Sequence, residues 1–195
     1  MFKVDIFKES IIVDSLINSQ IDEKIKKILR EEKNKNKGVQ ISNVNGGYQT
    51  KNIFDETLNK IFLTKTGELI YNFFRLNENY KIRMQDIWIN ENYQNSINMD
   101  HVHGRSNFSG IYYVEVPENS GQLVFTRADK SVSMMINNDM FAKNELGFNS
   151  VYRIQPLKNQ IILFPSHLVH GVLPNNNKES RISVAFNVEL VKTNG

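Results

Sequence analysis

A chain of 195 residues, 40% hydrophobic and 23% charged, can bury a real core and has the balance of a globular domain rather than a disordered or fibrous one. It has no cysteine, which excludes disulfides and thiolate ligands and leaves nitrogen and oxygen as the donors for any metal. The net charge of +3 does not indicate nucleic acid, no apolar run approaches the roughly 18 residues of a membrane span, and Met1-Phe2-Lys3-Val4-Asp5 opens no signal-peptide segment, so a cytoplasmic protein is expected.

A first helix is predicted from Val13 to about Asn34. Leu16, Ile17, Ile21, Ile25, Ile28 and Leu29 recur there at helical spacing, and Asp14 or Ser15 can cap its start. The basic run from Lys24 to Lys37, interrupted by Glu31 and Glu32, reads as the solvated side of that helix rather than a nucleic-acid face. Gly46-Gly47-Tyr48-Gln49-Thr50 reads as a loop. A second helix is expected from Phe54 to about Arg75, burying Leu58, Ile61, Phe62, Leu69, Ile70, Phe73 and Phe74. Gly67 is its point of potential interruption, because glycine costs roughly 1 kcal/mol in a helix interior.

After Asn77 the pattern becomes that of strands. Lys81 to Asn90 alternates, and further strands are expected at Gly110 to Val116, Gln122 to Thr126, Tyr152 to Gln155, Gln160 to Phe164 and Arg181 to Val188. Turn signals at Pro117 to Gly121, Pro156 to Asn159 and Pro174 to Asn177 divide them. Residues Lys130 to Ser150 show little pattern and read either as a loop near a site or as a surface excursion. Short strands after two helices indicate an α+β domain that is mainly β. The whole of 1–195 is read as one domain, an antiparallel sandwich or barrel over about 80–190 supported by a helical layer over about 13–76.

All four histidines fall into two pairs, His101-Val102-His103 and His167-Leu168-Val169-His170. Histidine is the commonest protein ligand for transition metals, and an H-x-H pair on a strand turns both rings to one face. The second pair lies more than sixty residues on, so a shared site must be assembled by the fold. Arg181-Ile182-Ser183 follows at the start of a strand, where Arg181, Ser183, Ala185 and Asn187 share a face. The planar fork of an arginine suits a carboxylate. Spacing leaves two readings of Arg181 open: a clamp for an acidic ligand of the metal, or a surface ion pair with Glu179 or Glu189.

His101-Val102-His103, Ser109 to Val114, Pro117 to Phe125, Ile161 to Val172 and Arg181 to Val188 together resemble the 2-oxoglutarate/Fe(II) oxygenases of bacteria and marine phages, within the prolyl-hydroxylase-like superfamily. Asn98, three residues before His101, and Gly46 to Thr50 are weaker matches. The resemblance implies a double-stranded β-helix, a jelly-roll or cupin-like barrel, with Fe(II) as metal and 2-oxoglutarate as cosubstrate. It implies metal ligation by His101, His103 and His170, with His103 standing where the superfamily has a carboxylate. It matches Arg181 and Ser183 to the pair that binds the remote carboxylate of 2-oxoglutarate, Tyr113 to a supporting hydroxyl, and Asn98 to the same pocket. The implied reaction uses O2, releases succinate and CO2 and hydroxylates a substrate that the sequence does not identify, in a host cytoplasm if the chain is phage-encoded.

Asp100 points away from His101 and His103 in an extended chain and could orient a histidine, while His167 reads as a polar residue near the pocket rim. A three-histidine cupin-like metal protein without 2-oxoglutarate and a non-catalytic binding protein on the same barrel are the alternatives. A homodimer through the helical layer is compatible with the sequence.

Overall fold

The computed structural model describes residues 9–127 and 151–193, so the stretch from Lys130 to Ser150 lies outside the described residues. The order of elements is β1 (Ile12–Ser15), α1 (Ser19–Lys35), β2 (Asn43–Val44), β3 (Tyr48–Gln49), α2 (Glu56–Phe74), β4 (Tyr80–Asn92), β5 (Ile97–His101), β6 (Phe108–Glu115), β7 (Leu123–Thr126), β8 (Val151–Ile154), β9 (Gln160–Pro165), β10 (Val169–Val172) and β11 (Arg181–Lys192). All pairings are antiparallel. They make a six-stranded sheet, β1-β9-β6-β11-β4-β3, and a five-stranded sheet, β2-β5-β10-β7-β8. Two facing antiparallel sheets with helices on one outer face form the double-stranded β-helix expected.

The first helix starts later than its apolar spacing predicts. Ile12–Ser15 is a strand paired with β9, and Asn18, not Asp14 or Ser15, caps α1 by accepting from the Ile21 backbone N–H at 3.1 Å. Ile21, Ile25 and Leu29 are buried, while Ile17, outside the helix, is exposed. The basic run ties α1 to its surroundings: Lys24 pairs with Asp55 at 2.9 Å, Lys26 with Glu115 at 3.3 Å and Lys33 with Glu91 at 2.6 Å. In α2 the Asp55 side chain accepts from the Leu58 N–H, and the helix runs through Gly67 unbroken to Phe74. Leu58, Phe62, Leu69 and Ile70 are buried as expected, but Phe73 is exposed and Phe74, whose ring lies 5.0 Å from that of Phe108 on β6, is only partly covered.

Both helices cover the outer face of the six-stranded sheet, burying Ile87, Ile89, Tyr112, Val114, Val184 and Phe186. A second core between the sheets joins Tyr113, Ile162 and Phe164 to Leu123, Phe125 and Ile154. Gly46 to Thr50 is not simply a loop. Asn45 and Gly46 take positive φ values of 61° and 88°, and that turn carries the chain from β2 in one sheet to β3 in the other. No helix among the described residues is long and apolar enough to cross a membrane.

One irregularity positions the site. Register along β4 and β11 shifts between Asn187 and Val188, so that Met84 faces Val188 while Asp86 faces Asn187 and Gln85 is the extra residue. A bulge reverses the parity of a strand. It keeps Ile82, Met84, Ile87 and Ile89 in the helix-side core and directs Asp86, Trp88, Asn90 and Asn92 to the opposite face.

Candidate active site

A cavity of about 510 Å³ opens between the sheets, within the range of small-molecule sites. Its wall on the six-stranded sheet consists of registered rows. Asn92 faces Arg181; Gln49, Asn90, Ser183 and Tyr113 form the next row; Trp88, Ala185 and Ile111 the third; Asp86, Asn187, Ser109 and Phe164 the fourth. All thirteen line the cavity. The alternation that places Arg181, Ser183, Ala185 and Asn187 on one face therefore delivers all four to it.

The histidines come from the other sheet. His101 ends β5 directly opposite His170 on β10, and His103 sits two residues beyond the strand, where its backbone N–H donates to Ser166 O at 3.0 Å. Ring centroids are 4.4 Å apart for His101 and His170, 5.0 Å for His101 and His103, and 5.2 Å for His103 and His170. One nitrogen from each lies within 4.8 Å of the others, a spacing that could hold a metal ion.

Two of these rings are held by backbone carbonyls. His101 Nδ1 donates to Met99 O at 2.7 Å, and His170 Nδ1 donates to Leu168 O at 2.8 Å. A carbonyl oxygen only accepts, so each Nδ1 carries the proton and each Nε2 keeps its lone pair for a metal. Burial lowers the pKa of His103 to about 4 and that of His170 to about 3, with the His101 charge as the next cause in each. Both rings are thus neutral at physiological pH, as ligation requires. Donor chemistry and spacing fit a divalent transition metal.

Neither other candidate joins the cluster. His167 is exposed, and its Nε2 lies 3.0 Å from a Glu9 carboxylate oxygen. Asp100 is exposed beside Gly171, and the orienting role it could have taken belongs to the carbonyls of Met99 and Leu168.

Arg181 is 1% exposed, which removes the surface ion-pair reading; Glu189 pairs with Arg83 instead. Its Nη1 donates to Ser120 O at 3.1 Å and Gly121 O at 3.0 Å, its Nη2 to Asn92 Oδ1 at 2.7 Å, and its Nε has no partner. Every acceptor is neutral, and among the described residues no carboxylate pairs with it. Burial pulls its pKa down from the ordinary arginine value, and the same burial raises that of Tyr113, whose ring centroid is 5.9 Å from the guanidinium carbon. An unneutralised cation in a low-dielectric cavity wall is costly unless a bound anion completes it. Asn98, on β5 of the opposite sheet, reaches across to this end of the cavity: its Oδ1 accepts from Asn92 Nδ2 at 3.0 Å and its Nδ2 donates to Ser42 Oγ at 3.2 Å.

Residue order alone did not single out Asn92, Asn90 and Gln49, which flank Arg181 and Ser183, or Trp88, whose ring centroid lies 5.7 Å from that of His103. Period-two alternation from Asp86 to Asn92 was the available signal, and the bulge at Gln85 shifts its phase against residues 81–84.

Fold and site together define a double-stranded β-helix in which three imidazoles and a buried arginine converge on one cavity. Residues 86–187 match the family model described as "Putative 2OG-Fe(II) oxygenase", and the chain belongs to that family. It is a non-haem oxidoreductase that uses Fe(II) and 2-oxoglutarate. The fold is similar to that of a Pseudomonas putida prolyl-4-hydroxylase, at 14% identity over 96% of this chain and 94% of that one, with a TM-score of 0.58. It is similar to the viral collagen prolyl hydroxylase of Paramecium Bursaria Chlorella virus-1, solved with 2-oxoglutarate, at 15% identity over 91% and 94% with a TM-score of 0.57. The α-ketoglutarate-dependent epimerase SnoN of nogalamycin biosynthesis superposes with a TM-score of 0.67, at 10% identity over 93% of this chain and 78% of that one. No curated protein matches the chain in sequence.

Proposed function

We propose that this enzyme hydroxylates its substrate with Fe(II) held by His101, His103 and His170 and with 2-oxoglutarate anchored through its remote carboxylate on Arg181 and Ser183. Bound Fe(II) with 2-oxoglutarate and O2 supplies oxidative decarboxylation to succinate and CO2 and the means to attack an unactivated C–H bond. The chain's own residues place and shield that chemistry. Arg181 offers a charged fork at the buried end of the cavity, and Ser183, on the same strand face, offers a hydroxyl that makes no hydrogen bond to the described residues. Tyr113 faces Ser183 across the register and closes the wall behind the cosubstrate, with Asn98 beside Asn92 at the same end.

His103 alters the electrostatics. Three imidazoles bring no negative charge, so the site keeps the full charge of the metal and adds that of Arg181. That balance favours a dianion such as 2-oxoglutarate. The observation that carries the reading is Arg181 itself: a fully buried guanidinium with an unpartnered Nε, surrounded by neutral acceptors, in the cavity the histidines line.

Calorimetric titration of 2-oxoglutarate into anaerobic Fe(II)-loaded protein tests it. Arg181→Ala is expected to weaken binding by about 1.5–3 kcal/mol, the range for a hydrogen bond to a charged group. Arg181→Lys, which keeps the charge and loses the fork, should fall between. Unchanged affinity in a folded Arg181→Ala protein overturns the assignment. A cytoplasmic location and a homodimer belong to the same proposal; the exposed Phe54, Tyr71 and Phe73 on the helical layer support the dimer, which light scattering checks.

A further inference from the structure

Three members of the fourth row of the cavity wall, Asp86, Asn187 and Ser109, are polar and take no part in holding metal or cosubstrate. Rows along a strand are about 7 Å apart, so Asn187 lies about 20 Å along β11 from Arg181. The Trp88 row faces the histidines, since its ring lies 5.7 Å from that of His103. Phe164 of the fourth row lies 4.7 Å from His170, so the histidines stand over the third and fourth rows, with Arg181 at one end of the wall and Asp86 at the other. Resting on the reading above, 2-oxoglutarate fills the side toward Arg181, and the opposite side is left for the substrate.

The groups there are held in defined states. Ser109 Oγ donates to Asn187 Oδ1 at 2.8 Å and lies 2.8 Å from Ser166 Oγ, all in buried surroundings. That bond fixes the orientation of the Asn187 amide, whose Nδ2 has no acceptor among the described residues. Asp86, half-buried and directly opposite Asn187, accepts from Asn52 Nδ2 at 3.0 Å and makes no ion pair among the described residues. Lys51 on the same wall is exposed and is not paired with it. A carboxylate keeps several acceptor positions beyond one amide donor.

We infer that Asp86 and Asn187 anchor the substrate and that the substrate presents a cationic nitrogen, ammonium or guanidinium, to the Asp86 carboxylate. Asn187 Nδ2 donates to an acceptor on the same molecule. A cation there also complements the charge order of the cavity. The anionic cosubstrate is drawn to Arg181 and the positive charge of the histidine centre, and the cationic substrate to the only carboxylate among the described cavity residues. Charge opposition of this kind keeps the two ligands from exchanging places.

Trp88 is the sole tryptophan of the chain and sits one row from Asp86, so its fluorescence reports the subsite directly. The test titrates n-butylguanidinium and its uncharged analogue n-butylurea into anaerobic protein loaded with Fe(II) and 2-oxoglutarate. The cation is expected to change Trp88 emission saturably and to bind at least about tenfold more tightly than the urea. Asp86→Asn should abolish that preference while 2-oxoglutarate affinity, measured separately, stays within about twofold. If Asp86→Asn does not fold, Asp86→Ser carries the same comparison. Equal affinity for the two probes, no saturable change, or a preference retained in the variant overturns the inference. Failure of the loaded protein to bind 2-oxoglutarate overturns instead the reading on which it rests.

Discussion

Arg181 and the three histidines bear opposite relations to charge, and each yields a test at the scale of a single side chain. His170→Ala is expected to abolish tight Fe(II) binding while circular dichroism shows the barrel retained. Stoichiometric iron in that variant would remove His170 from the ligand set. His103→Asp restores a carboxylate where the resemblance expects one and should preserve iron binding, as measured by anaerobic metal titration. The pH dependence follows from burial. An unfolded histidine titrates near 6.5, whereas His103 and His170 resist protonation until about pH 4 and about pH 3. Below 6.5 the unfolded chain therefore takes up protons that the folded one refuses, and metal-free stability falls as pH drops through that window. Thermal melts of metal-free protein should show this decline, and His103→Gln with His170→Gln should flatten it between pH 6.5 and 5. A slope unchanged in the double variant would contradict it. Both histidine pairs and the Arg-x-Ser spacing were legible in the sequence because each is local, with period two fixing the shared face. The resemblance already set His170 apart from His167, and the physical reason is the turn before β10, which leaves His167 exposed while His170 is buried on the strand.

The elements divide along the same line between local and distant causes. Long periodic segments such as α2, β6, β9 and β11 were readable from residue order. β1 was not, because Ile12 and Val13 run directly into the apolar spacing of α1 and their partner, β9, lies about 150 residues away. Two-residue strands such as β2 and β3 carry almost no signal of their own and exist through pairing with β5 and β4. The β4–β11–β6 arrangement also depends on a glycine. Gly110 faces Phe186 in the register, and a Cβ at 110 would run into the Phe186 ring, which stacks on Phe62 at 5.1 Å. Gly110→Ala should therefore destabilise the protein by about 1–3 kcal/mol, the cost of overpacking a filled core. Urea denaturation measures it, and a neutral result would mean that Phe186 has another place to go.

Across the whole molecule, helices and sheets perform separate tasks. The helical layer and the outer face of the six-stranded sheet share one apolar core, while the inner face carries the cavity wall, with Trp88 and Phe164 beside the histidines and polar rows on either side. Phe62, fully buried between α2 and that sheet, belongs to the stabilising side, and Phe62→Ala should cost about 3–5 kcal/mol without removing a cavity residue. The fold is shared with hydroxylases and with an epimerase, so architecture alone does not choose the outcome of the reaction; the residues beside the metal do. The most direct test of the account is the fate of 2-oxoglutarate with purified protein, Fe(II) and O2, followed as succinate formed. Iron-dependent succinate production is expected, lost in His170→Ala and lowered at least about tenfold at limiting 2-oxoglutarate in Arg181→Ala. Iron-loaded protein that neither binds nor consumes 2-oxoglutarate, or full turnover in His170→Ala, would contradict it.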